Sequence, residues 1–139
     1  YITNYPGAGA AGGMGGGLLA FFNAELKPGT ELLLKAIDFS EKIKGADLII
    51  TGEGKADRQT AMGKVPYGIL KEAQKEHIPV IVLAGSIENL PELNKAGFKG
   101  IFSIAPGPIT LEKAMEPEFA KENITRLVSQ LYSVITSFG

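Results

Sequence analysis

Cysteine is missing from this 139-residue sequence. Its absence excludes disulfides and thiolate metal sites and is compatible with a cytosolic setting. Histidine occurs once, as His77, so no second imidazole is available to share a metal. Beside Ile78-Pro79 and just past a helix end, His77 reads as structural, at a place where a cation suits the helix dipole. A surplus of either charge is also lacking: 14 Lys and Arg face 15 Asp and Glu, for a net charge of −1. Such a balance carries no electrostatic footprint for nucleic acid or an anionic membrane. Small anionic ligands stay open, because they respond to local charge. No charged residue occurs from Tyr1 to Ala24. That stretch nevertheless holds Asn4, Pro6, Asn23 and seven glycines, and is far less hydrophobic than a Leu/Ile/Val membrane span. It has neither a basic n-region nor a leading methionine, and the missing methionine suggests a piece of a longer chain.

What is present fits a soluble globular domain with a genuine core, at 45% hydrophobic and 21% charged residues. Gly13–Phe22 suits a closely packed helix, small residues first and Leu18, Leu19, Phe21 and Phe22 later. Pro28 opens a second helix with Leu32, Leu33, Ala36 and Ile37 on its apolar face, and a helical turn over Ser40–Lys44 stops at Gly45. A repeating unit follows: strand Leu48–Thr51, helix Pro66–Glu76, strand Val80–Ala84, a short helix near Pro91–Ala96 and strand Gly100–Ile104. After Pro106-Gly107-Pro108 a last helix runs from about Pro117 to Phe138. The strands are almost unbroken apolar runs, the pattern of a parallel sheet buried on both faces. Alternation of strands and helices predicts an α/β sandwich, whose ligands bind outside the carboxyl ends of the strands.

Two glycine-rich segments invite a functional reading. Gly7-Ala8-Gly9-Ala10-Ala11-Gly12 matches the dinucleotide fingerprint in its letters. Its context does not match: Pro6 precedes it where a strand is needed, and two helices intervene before the next strand. A P-loop fails as well, since neither Gly54-Lys55 nor Gly63-Lys64 is followed by Ser or Thr. What survives is a glycine-rich helix entrance, whose free amides suit an anion and whose small residues equally suit close packing.

The second segment, Thr51-Gly-Glu-Gly-Lys-Ala-Asp-Arg-Gln-Thr-Ala-Met-Gly-Lys-Val-Pro66, is longer than the roughly 2–6 residues an α/β connection needs. Its glycines permit a sharp turn or close approach to a ligand. Glu53 and Asp57 are able to bind Mg²⁺, and Asp57 is able to accept a hydroxyl proton. Gln59 and Thr60 offer hydrogen bonds, while Lys55, Arg58 and Lys64 suit phosphate or carboxylate. The plainer reading has Asp57 capping a turn, Thr60 capping the next helix and the lysines solvated.

Several separated motifs together resemble the bacterial type I glycerate kinases: Pro6-Gly7-Ala8-Gly9-Ala10-Ala11-Gly12-Gly13-Met14-Gly15, Leu26-Lys27-Pro28-Gly29, Gly45-Ala46-Asp47-Leu48-Ile49-Ile50-Thr51-Gly52-Glu53-Gly54, Asp57-Arg58-Gln59-Thr60, Gly63-Lys64-Val65-Pro66, Leu83-Ala84-Gly85, and Ile101-Phe102-Ser103-Ile104 with Gly107-Pro108. The resemblance covers nearly the whole chain. It implies a cytoplasmic ATP-dependent kinase that phosphorylates D-glycerate, usually to 2-phosphoglycerate, with Mg²⁺. It also implies a Rossmann-like or flavodoxin-like three-layer sandwich with a mainly parallel sheet. Residues 1–139 would be one α/β unit, the carboxyl-terminal part of a larger two-domain kinase, so the fragment alone is expected to lack activity without the remaining part of its own polypeptide. On this likeness the catalytic candidates are Asp57 as base or orienting acid, Glu53 near metal or substrate, and Lys64 facing phosphate or carboxylate. Glu53 and Asp57 are the Mg²⁺ candidates. Substrate and phosphate binding falls to Gly7, Gly9, Gly12, Gly13, Gly52, Gly54, Arg58, Gln59 and Thr60. The competing readings are a non-catalytic α/β module that binds a small hydroxy acid or a nucleotide, and a fragment that docks with the rest of its protein.

Overall fold

Branched and aromatic side chains pack well on a half-buried sheet, and three apolar stretches, around Ile49-Ile50, Val80–Leu83 and Ile101-Phe102, build the sheet of this protein. The computed structural model describes residues 4–22 and 24–138. Its contacts gather into two compact units, Tyr1–Asp38 and Phe39–Gly139. The first contains helices α1 (Ala10–Phe22) and α2 (Gly29–Ala36). The second runs α3 (Phe39–Lys42), β1 (Ile49–Ala56), a 3₁₀ turn (Arg58–Ala61), α4 (Val65–Lys75), β2 (Val80–Ile87), α5 (Leu90–Ala96), β3 (Gly100–Ser103), α6 (Leu111–Ala114) and α7 (Pro117–Thr136).

The expected parallel sheet is observed, in the order β1-β2-β3 and with both pairings parallel. Central β2 is buried from Val80 to Ala84. Val80, Val82 and Ala84 join Leu70 and Ala73 of α4, Leu93 of α5 and Phe98 in one apolar cluster. Helix α4 presents that face because Leu70 and Ala73 are three residues apart, with Lys71, Glu72 and Lys75 turned elsewhere. Burial on both faces, expected of all three strands, holds for β2 and fails for β1. Among the described residues, strand β1 pairs with β2 alone, and Ile50 is 42% exposed.

A second departure matters more for function. The sequence places the end of the first strand at Thr51, because Gly52-Glu53-Gly54 is poor strand material. The strand instead continues to Ala56, and β2 runs three residues past Ala84 to Ile87. Glu53 pairs with Ala84, Lys55 with Ser86 and Ala56 with Ile87. Main-chain ladders need only amides and carbonyls, so the partner strand carries β1 through residues whose own propensity argues against it. The glycines allow this extension: a Cβ on Gly85 would stand 2.8 Å from the Gly54 carbonyl oxygen. Gly52 and Gly54 thus lie within the strand, and the connection proper begins at Asp57. The short helix α6 is one that sequence periodicity does not announce.

The Gly54–Gly85 contact yields a stability prediction for the intact polypeptide carrying this sequence. Gly85→Ala should cost about 1–3 kcal/mol, because a methyl group is forced against backbone. Gly52→Ala, with nothing within 4 Å of the added carbon, should stay within about 0.5 kcal/mol. Urea unfolding midpoints of the two variants check this, and equal midpoints would show that the close approach is not limiting.

Candidate functional site

The chain leaves β1 at Ala56, which is fully buried, and turns at once into Arg58–Ala61. Asp57 brings about this turn. Its backbone is extended, as an N-cap requires, and its Oδ1 accepts hydrogen bonds from the Gln59 amide at 2.9 Å and the Thr60 amide at 3.4 Å. Thr60 reciprocates, its Oγ1 accepting from the Asp57 amide at 3.1 Å. The same hydroxyl donates to the Lys55 carbonyl at 3.4 Å. Thr60 is 0% exposed, so its hydroxyl is spent inside the turn. Thr60 does not cap the next helix, as the plainer reading has it: the N-cap position of α4 is Lys64, which makes no side-chain capping bond, with Pro66 in the first turn.

Lys64 folds back toward the turn. Its Nζ lies 3.6 Å from Asp57 Oδ1, with side-chain exposures of 34% and 21% for the two partners. Partial burial pushes the Asp57 carboxyl up. The Gln59 amide, the Lys64 charge, the Thr60 amide and the Lys55 charge outweigh it, leaving the group below its ordinary value. Asp57 is therefore held as a carboxylate. Its Oδ2 makes no hydrogen bond among the described residues. Arg58 and Gln59 are exposed beside it.

The other candidates are distributed differently. Lys55 bonds Glu88 at 2.8 Å, and this hydrogen-bonded carboxylate raises the ammonium above its usual range. Glu88, which follows β2, is a neighbour of the site that no sequence motif signals, since only the strand register brings residue 88 toward residue 55. Glu53 and Gly52 lie along a groove of about 530 Å³ with Ile50, Thr51, Leu83, Gly85, Ile104, Ile124 and Val128. In the first unit, Ala11, Gly12 and Gly13 adopt left-handed backbone, so helix α1 becomes regular only after them. A Cβ on Gly15 would come 2.5 Å from the Gly7 carbonyl oxygen, so close packing accounts for that glycine. Gly7, with Tyr5, Pro6, Ala10, Leu26, Lys27 and Pro28, borders a separate hollow of about 600 Å³. Among the described residues, no three His, Cys, Asp or Glu side chains cluster as a metal cage. No helix among them is long and apolar enough to cross a membrane.

The depressed Asp57 carboxyl sets a pH test. A carboxyl with lowered folded-state affinity binds fewer protons than in the unfolded chain. Its stabilisation is therefore complete above the reference value of 3.8 and drains away as pH falls through the lower folded value. Wild type should be more stable than Asp57→Asn at neutral pH, and the gap should narrow on acidification below that range. Denaturant unfolding at stepped pH measures it, and a gap that is constant or widens in acid would contradict the assignment.

Comparison with known proteins places this geometry in context. The model of the Glycerate kinase family matches residues 1–136. A glycerate kinase of Bacillus cereus (strain ATCC 10987 / NRS 248) is 43% identical over 134 residues, covering 96% of this chain and 35% of the relative. A glycerate 2-kinase of Escherichia coli (strain K12) is 42% identical over 126 residues, 90% of this chain and 32% of the relative. A solved structure, described as a candidate glycerate kinase 2 from Salmonella typhimurium LT2, superposes with a TM-score of 0.64 at 37% identity. That match covers 94% of this chain and 34% of the other. The chain thus spans about a third of the length of these relatives.

Proposed function

The chain belongs to the glycerate kinase family, and from that membership we propose that the polypeptide carrying it phosphorylates D-glycerate with ATP, giving 2-phosphoglycerate. In this reading residues 1–139 are the carboxyl-terminal part of a two-domain cytoplasmic enzyme and supply one wall of its site, with the rest of the polypeptide completing it. The observation that carries the proposal is the Asp57–Lys64 pair mounted on the turn at the carboxyl end of β1. Strand ends are where open α/β sheets hold ligands.

Phosphoryl transfer asks chiefly for alignment and charge neutralisation. Asp57 supplies the first: a carboxylate kept ionised, with Oδ2 free, accepts a hydrogen bond from a glycerate hydroxyl and orients its oxygen. Its low proton affinity favours orientation over complete proton abstraction. Lys64, a donor group beside it, meets phosphate or the substrate carboxylate. Arg58 and Gln59, both exposed on the same turn, extend the polar contacts. In the first unit the amides of Gly7, Gly9 and Gly12 would suit phosphate or carboxylate, while that of Gly13 already donates to the Gly9 carbonyl at 3.3 Å; Gly52 and Gly54 keep the strand approachable. Mg²⁺ is commonly held by one or two carboxylates together with substrate phosphates, and Asp57 or Glu53 would each serve it singly, since four residues of extended strand set them roughly 13 Å apart. When bound it would neutralise phosphate charge.

Asp57→Asn keeps size and capping ability, so the intact enzyme should fold. Turnover with glycerate should fall by about 10²-fold, the scale of a lost orienting contact, mainly in kcat if Asp57 acts in the transition state. Lys64→Met should instead raise KM for glycerate or ATP. Steady-state kinetics at saturating ATP and Mg²⁺, beside thermal melts, decides the matter. Normal kcat and kcat/KM in a well-folded Asp57→Asn enzyme would remove Asp57 from the site and shift suspicion to Glu53.

A further inference from the structure

We propose that Thr60 is a positioning residue for the reaction: its hydroxyl locks the turn that aims the Asp57 carboxylate, and it contacts no ligand itself. The inference rests on the reading of Asp57 just given, and it replaces the expectation that Thr60 binds substrate or phosphate.

Three observations carry it. Thr60 is 0% exposed, so no ligand reaches its hydroxyl without opening the turn. Both hydrogen-bonding functions of that hydroxyl are occupied, one accepting from the Asp57 amide at 3.1 Å and the other donating to the Lys55 carbonyl at 3.4 Å. It therefore clasps the main chain on both sides of Ala56, at the point where β1 becomes the turn. Finally, the Thr60 amide holds Asp57 Oδ1 at 3.4 Å, alongside the Gln59 amide at 2.9 Å. The carboxylate is fixed through one oxygen and left free at the other.

The turn is itself seated on α4 and α5, so the clasp transmits the position of the packed scaffold to a single carboxylate. A plain N-cap needs only Asp57. The reciprocal bond from Thr60 adds little if the purpose is to start one short turn, and it adds much if the carboxylate direction matters. Misplacing a reacting group by about 1 Å is able to cost 10²-fold in rate.

The test uses the intact enzyme, four single variants, namely Thr60→Val, which keeps the shape and deletes the hydroxyl, Thr60→Ala, Thr60→Ser and Asp57→Asn, and the double variant of Thr60→Val with Asp57→Asn. Thr60→Val should lower kcat with glycerate about 10-fold or more, with KM for ATP within about 2-fold. Thr60→Ser should keep kcat within about 3-fold of wild type. In the double variant, Thr60→Val should add little to the loss already caused by Asp57→Asn, because the two act through one group. Should Thr60→Val fail to fold, Thr60→Ala compared with Thr60→Ser measures the same hydroxyl. A hydroxyl deletion that lowers Tm while leaving kcat at the wild-type value would overturn the proposal. So would Thr60→Ser matching Thr60→Val in its loss, since packing of the methyl group would then explain both. A normal Asp57→Asn enzyme would sink the site reading itself. An impaired Asp57→Asn beside an unimpaired Thr60→Val would sink the positioning role alone.

Discussion

The parallel ladder between β1 and β2 sets the position of Asp57, Thr60 and Lys55 alike. It runs seven pairings, from Ile49 with Val80 to Ala56 with Ile87. Its last pairs carry the chain past Gly54 and Gly85, where a side chain on Gly85 would strike backbone. Because β2 is the buried centre of the sheet and anchors the apolar cluster with α4 and α5, the far end of β1 is held on a rigid support. Asp57 is the first residue beyond that support. A site built at the end of a packed strand keeps its geometry better than one carried by a free loop.

Under the role proposed for Asp57, capping and chemistry are not rival explanations. The same two amides that stabilise the 3₁₀ turn also stabilise the ionised carboxylate, and Lys64 adds to both effects from the start of α4. In that proposed role the cost is a narrower chemistry. A group drawn below its ordinary proton affinity is a poor proton sink and a good fixed acceptor. Such a group fits a reaction in which alignment and charge outweigh proton transfer. Lys55, by contrast, is engaged with Glu88 across the strand pair, which leaves Lys64 as the lysine that meets Asp57.

Much of this protein is legible in its residues. The apolar runs announce Val80–Ala84 and Ile101–Ile104 as parallel strands, and the spacing of Leu70 with Ala73 gives α4 its inward face. The separated glycine, Asp-Arg-Gln-Thr and Gly-Lys-Val-Pro motifs point to the family whose model matches the chain. Local chemistry of this kind is written in a residue and its near neighbours, through side-chain volume, periodicity and turn preference.

Other features required the folded chain. That β1 continues through Gly-Glu-Gly and that Glu88 stands at Lys55 follow from backbone pairing with a strand about thirty residues away, and the Thr60 hydroxyl is enclosed where its turn packs on α4 and α5. A main-chain hydrogen bond carries no mark of residue type, so composition and periodicity are silent about how far a ladder extends. The Thr60 case shows the limit within a few residues as well. Asp-Arg-Gln-Thr identifies donors and acceptors, yet burial decided that one hydroxyl serves the turn while the carboxylate keeps an oxygen free, because a group cut off from solvent must find its partners in its own protein.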